Sequence, residues 1–78
     1  MSDRAKSVFA EVLGLPITSI SDDTSPDNTR EWDSVKAIDL ALAIEEEFAV
    51  RFTTKEIVSM RTVGIVKKVL QAKGIADV

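Results

Sequence analysis

Between Val35 and Ala49 the chain runs for fifteen residues without glycine or proline, directly behind the dipeptide Asp33-Ser34. Most of these residues are strong helix formers. Asp is a favoured N-cap, so the segment reads as a helix opening at Asp33-Ser34. At helical spacing Lys36, Asp39, Glu46 and Glu47 share a polar sector roughly 100° wide. Val35, Ala37, Ile38, Leu40, Ala41, Leu42, Ile44 and Phe48 cover most of the remaining circumference, which predicts burial on more than one side. Such a helix needs several neighbours, and in 78 residues those neighbours must be other short helices. Glu45 projects near the middle of the apolar arc, and fraying near the helix end is the expected reason.

The neighbours are legible on either side. Val8, Phe9, Val12 and Leu13 recur at three-and-four spacing from Ala5 to Leu13, and Gly14 suits a C-terminal stop. Thr53 and Glu56 have the spacing of a capping box, which places a short helix over Thr54 to Met60 with Ile57 and Met60 facing inward. A last helix runs from Thr62 or Val63 to Lys73 on a stripe of Val63, Val66, Val69 and Leu70, and stops at Gly74. Lys67, Lys68 and Lys73 are expected to complement its C-terminal dipole. Leu15 to Trp32 shows no sustained period and reads as a long polar loop pinned by Leu15, Ile17, Ile20 and Trp32. With no strand pattern and no repeat, the expected fold is all-α: one domain over residues 1–78, a small four-helix bundle of three principal helices and one short one.

Composition narrows the chemistry. The 45% apolar and 29% charged residues are those of an ordinary globular domain. Cysteine and histidine are both absent, which removes the residue types that most often activate a nucleophile or hold zinc near neutral pH. The formal net charge of −3 argues against nucleic acid, whose phosphates call for a basic surface. The N-terminal Met1 to Lys6 has no apolar run behind its charges, and no stretch approaches the roughly 20 apolar residues of a membrane span. A cytoplasmic protein without membrane insertion is expected.

Ser34 is expected at the first turn of the long helix, immediately after the polar loop, where a large partner can reach its hydroxyl. An anion built on that hydroxyl meets the positive end of the helix dipole, worth roughly 0.3–1 kcal/mol, with Asp33 partly opposing it. An Asp-Ser pair ahead of a helix is also an ordinary N-cap, so the dipeptide alone does not decide.

The run from Glu31 to Phe48, EWDSVKAIDLALAIEEEF, resembles the attachment-site helix of acyl carrier proteins. The resemblance continues in order through Phe48 to Phe52, the capped Thr53 to Met60 segment and Thr62 to Val66, and so covers essentially the whole chain. In that family the serine of an Asp-Ser-Leu motif carries 4'-phosphopantetheine, and the matching residues are Asp33, Ser34 and Val35. The resemblance therefore implies a non-catalytic, monomeric carrier with a covalent arm, derived from coenzyme A, on Ser34. It also implies three kinds of partner: a phosphopantetheinyl transferase, an acyl-loading ligase or synthase, and downstream acyl-transfer enzymes. Val35, Lys36, Asp39, Glu46, Glu47 and Glu56 are candidates for docking those partners, where charge sets encounter rate and partner choice. Ile38, Leu42, Ile57 and Met60 are candidates for an acyl cleft, with ordinary core packing as the alternative for each.

Two departures from the family pattern bear on the pathway. Val35 stands where Leu is commonest, and Lys36, Arg51 and Lys55 interrupt the acidic residues that surround the second helix in carriers of primary fatty acid synthesis. The sequence looks more like stand-alone carriers of specialised lipid, polyketide or surface-polymer pathways. An aminoacyl or D-alanyl carrier shares the same fold and serine, and an unmodified helical adaptor is the alternative outside carriers. A serine-dependent enzyme is disfavoured, since the chain supplies no evident general base for Ser34.

Overall fold

The computed structural model describes residues 4–76 and 78, and these are helix, turn or coil with no strand among them. Helix α1 spans Arg4–Leu13, α2 Ser34–Phe48, α3 Thr54–Ser59 and α4 Val63–Ala72, with one 3-10 turn at Ile17–Ser19. This is the all-α, four-helix arrangement expected from the periodicity. Met1 to Asp3, the opening of the segment read above as lacking an apolar run, lies outside the described residues.

The core forms where α1, α2 and α4 turn their apolar stripes toward one another. Phe9, Ile44, Val63 and Leu70 are fully buried and Val66 nearly so, with Ala5, Val8, Leu13, Leu40 and Phe48 around them. Ile20 and Trp32 enter this cluster from the long loop. Trp32 meets Phe9 with ring centroids 5.2 Å apart and planes inclined at 53°, a tilted geometry that suits the opposite charge of ring faces and edges. Leu15 packs partly against the core, but Ile17 is exposed and pins nothing. The remaining restraint on the loop is polar. Ser21 and Ser25 donate backbone N–H groups to Thr24 Oγ1 and Asn28 Oδ1, and the carbonyls of Thr24 and Asp22 accept from Val63 and Gly64 at the head of α4. A Cβ at position 64 would stand 3.2 Å from the Asp22 carbonyl oxygen, so glycine lets loop and helix approach.

The helix ends follow local chemistry. Gly14 and Gly74 both have positive φ, as expected of stops after α1 and α4. Leu15 and Ile75 then donate back to the Ala10 and Leu70 carbonyls, satisfying acceptors the helix leaves open. After α2 the same left-handed position is held by Ala49, at φ 53° and ψ 46°, a conformation costing a Cβ-bearing residue roughly 1–2 kcal/mol. Ala49 is exposed and gives up no packing on truncation. Ala49→Gly is therefore expected to stabilise the fold by about 0.5–1 kcal/mol, read as a higher urea midpoint at unchanged slope.

Three expectations are corrected. Glu45 does not mark fraying: α2 continues to Phe48, and Glu45 Oε2 accepts the Phe52 N–H at 2.7 Å, fastening the α2–α3 connection. Lys67 and Lys68 stand ahead of the last turn of α4, and only Lys73, its C-cap, stands at the C-terminal end. Lys67 Nζ pairs with Asp22 at 2.8 Å, and Lys73 Nζ pairs with Glu56 at 3.0 Å while standing 5.6 Å from the Phe52 ring centroid. Finally, α2 is covered along one side only. Val35, Ile38 and Leu42 are 66%, 60% and 59% exposed, because α3 is six residues long and leaves that flank open.

Candidate functional site

Residue 33 ends the loop in extended backbone, and its Oδ1 accepts the Lys36 N–H at 2.9 Å. This cap lets α2 start at Ser34, which is exposed. The N–H groups of Ser34 and Val35 lie in the first turn, where no intrahelical carbonyl reaches them, so an anion on Ser34 would meet both donors and the positive end of the dipole. The hydroxyl has an accessible position, with Asp33 before it and Lys36 two residues on, and the chain holds neither histidine nor cysteine. No group of three or more acidic residues among the described residues is arranged to hold a metal.

Ser34 lies on the rim of an open groove of about 420 Å³ between the start of α2 and α3. Ala37 and Ile38 form its α2 wall, Ile57, Val58 and Met60 its α3 wall, and Trp32, Asp33 and Arg61 lie along the same groove. Of the four residues expected at an acyl cleft, Ile38, Ile57 and Met60 are thus brought together beside Ser34. Leu42 is not: it belongs to a separate shallow hollow with Glu45, Glu46 and Arg51. Ile57 and Met60 are half-buried, Met60 packing partly against the core, and no α3 residue is fully buried.

The candidate docking residues divide by what already holds them. Val35, Asp39 and Glu46 are exposed, and Lys36 is half-buried. Glu47 is engaged by Arg4, whose Nη2 stands 3.2 Å from Glu47 Oε2 and 3.0 Å from the Glu47 carbonyl. Glu56 is held more fully. Its carboxylate accepts the Thr53 N–H at 2.9 Å, Thr53 Oγ1 accepts the Glu56 N–H at 3.1 Å, and Lys73 adds the ion pair. The Thr53 N–H, and then the Lys73 ammonium, hold the Glu56 carboxyl below its ordinary range. The hydrogen bond from Lys67 does the same for Asp22.

Those shifts carry a sign. A carboxyl with a depressed folded-state value stabilises the fold above its unfolded value, and that contribution is lost as pH falls through the folded one. Stability is therefore expected to hold steady from neutral pH down to the ordinary carboxylate range near 4 and to decline below it. In Glu56→Gln the decline should be shallower, as measured by urea midpoints across an acid series.

Pro26, Trp32, Ala37, Val58 and Arg61 line the groove without being candidates from the sequence. Trp32 enters the sequence reading as a loop anchor and as part of the Glu31 to Phe48 run, and its place two residues before Ser34 is the signal that puts it near the site. Arg61 follows α3 and has no sequence pattern to announce it. Its guanidinium lies 3.9 Å from Asp27 with both side chains well exposed, which leaves it weakly held.

Comparison with known proteins bears on the same residues. A family model described as a phosphopantetheine attachment site matches residues 3–70. An acyl carrier protein from Acidothermus cellulolyticus is 30% identical over 57 residues, covering 73% of this chain and 68% of that protein.

Proposed function

Since the chain belongs to the phosphopantetheine attachment site family, we propose that Ser34 carries the covalent 4'-phosphopantetheine of an acyl carrier, which presents acyl intermediates to partner enzymes. The observation that carries this reading is the placement of Ser34: an exposed hydroxyl at a capped helix start, beside an open groove. When bound, the group supplies a terminal thiol on which cargo rides as a thioester. The protein's own part is positional. Asp33 fixes the first turn of α2, and the dipole end of α2 and the Arg61 side chain place positive potential near a phosphodiester on Ser34.

Partner recognition falls to the open flank of α2. Val35, Ile38 and Leu42 give it an apolar line, with Asp39 and Glu46 exposed on the same helix. Lys36, Arg51 and Lys55 mix cations into this acidic surface. Mixed charge favours partners with patterned surfaces over uniformly basic ones, which supports a specialised lipid, polyketide or surface-polymer pathway.

The test is intact-protein mass after incubation with coenzyme A and a broad-specificity phosphopantetheinyl transferase. The expected result is a gain of one phosphopantetheinyl group, located on the peptide containing Ser34. No gain, with the same transferase active on a control carrier, would overturn the assignment in favour of an unmodified adaptor.

A further inference from the structure

Of the residues that line the groove beside Ser34, Asp33 and Arg61 alone are charged. Asp33 is committed, since its Oδ1 accepts the Lys36 N–H at 2.9 Å and caps α2. Arg61 is held differently. Its backbone is fixed at the end of α3, where the N–H donates to the Ser59 carbonyl at 3.0 Å. Its Nη2 stands 3.9 Å from Asp27 Oδ1, and the two side chains are 66% and 82% exposed. That separation lies outside hydrogen-bond range, and a pair so open to water holds its partners weakly. The guanidinium is therefore available to a better anion in the same groove.

A phosphodiester on Ser34 is such an anion. It stands on the groove rim next to Asp33, whose carboxylate repels it, and Arg61 is the cation that lines the same groove. The two non-bridging oxygens of the phosphate match the guanidinium fork and accept two parallel N–H bonds, where Asp27 in its present place accepts none. We infer, resting on the attachment proposed above, that modification moves Arg61 from Asp27 to the phosphodiester on Ser34. Arg61 is then a positioning residue for the root of the arm. The pair bridges the groove from the residue that follows Met60 to the first residue of α2, and it releases Asp27. Partner enzymes accordingly meet one charge pattern before modification and another after it. Lys36 is the rival cation nearest in sequence, but two helical positions turn it about 200° around α2 from Ser34, and it does not line the groove.

Two NMR signals report the exchange of partners. The phosphodiester gives the modified protein a single phosphorus resonance, and the Arg61 Nε–H correlation is identified by its loss in Arg61→Gln. Both are recorded at mildly acidic pH, before and after modification from coenzyme A with complete mass gain, for the parent, Asp27→Asn, Arg61→Gln and Lys36→Gln. Arg61 and Asp27 are exposed, so replacing either leaves the fold in place. The expected result is that modification moves the Arg61 signal and slows its solvent exchange by roughly two- to fivefold, the factor that ~0.5–1 kcal/mol of an exposed charge pair supplies. Asp27→Asn should shift the Arg61 signal in the unmodified protein and leave it unchanged in the modified one. Arg61→Gln should displace the phosphorus resonance, and Lys36→Gln should not. An Arg61 signal unchanged by modification, or as sensitive to Asp27→Asn afterwards as before, would overturn the inference while leaving the attachment intact. So would an Arg61 signal indifferent to Asp27→Asn in the unmodified protein, or a phosphorus resonance that follows Lys36 instead of Arg61. Absence of the mass gain itself, with the transferase active on a control carrier, would remove the attachment, and this inference with it.

Discussion

Ser34→Ala abolishes the phosphopantetheinyl mass gain and leaves the stability of the fold within about 0.5 kcal/mol of the parent. The first half follows from chemistry, since alanine has no oxygen on which a phosphodiester can form and the neighbouring Asp33 cannot replace it. The second half follows from the helix start. The side chain that caps α2 is that of Asp33, through its bond from the Lys36 N–H, while Ser34 is exposed and occupies the first helical position. Alanine is the best helix former, so the substitution costs the helix nothing. Intact mass checks one half and urea denaturation the other. A variant that lost both modification and folding would show Ser34 to be a structural residue.

The second large effect lies in the core and leaves the site's residues in place. Phe9→Ala is expected to destabilise the protein by about 3–5 kcal/mol, the range for truncating a buried aromatic ring. Phe9 is fully buried and stands against Trp32, so its removal takes away an aromatic pair as well as volume. Domains of this size hold only about 0.05–0.15 kcal/mol per residue, and a loss of that order leaves little margin. Phe9→Leu, which keeps an apolar side chain of similar reach, is expected to cost about 1 kcal/mol. Fluorescence of Trp32, the one Trp in the chain, follows both unfolding transitions from beside the site of change.

The helix boundaries were legible because they are written locally. Gly14 and Gly74 mark left-handed stops, and Thr53 with Glu56 writes a capping box that the structure forms in full. The place of Ser34 at the start of α2 was legible for the same reason, from the dipeptide and the run that follows it. What sequence could not supply was which flank of α2 the other helices cover. Val35, Ile38 and Leu42 fit an apolar arc as well as Leu40, Ile44 and Phe48 do, and only the position and shortness of α3 separate the two sets. Contacts between residues far apart in sequence were equally silent. Nothing local pairs Lys67 with Asp22 or Lys73 with Glu56, and nothing near Glu45 announces that it will hold the Phe52 N–H. Leu42 joins the cleft candidates through the apolar arc and the family resemblance, and neither says where a neighbouring helix ends.

The outer wall of the groove is α3, which has no fully buried residue and is fastened at Thr53, Glu56 and Lys73. Local opening free energies track buried apolar contact, so such a segment lies at the low end of the range while α1, α2 and α4 lie near the global value. Amides from Thr54 to Ser59 should therefore exchange with solvent through small fluctuations that leave Phe9, Ile44 and Leu70 packed. The volume beside Ser34 is then bounded on one side by the segment that opens most easily and on the other by the three-helix frame that carries the serine.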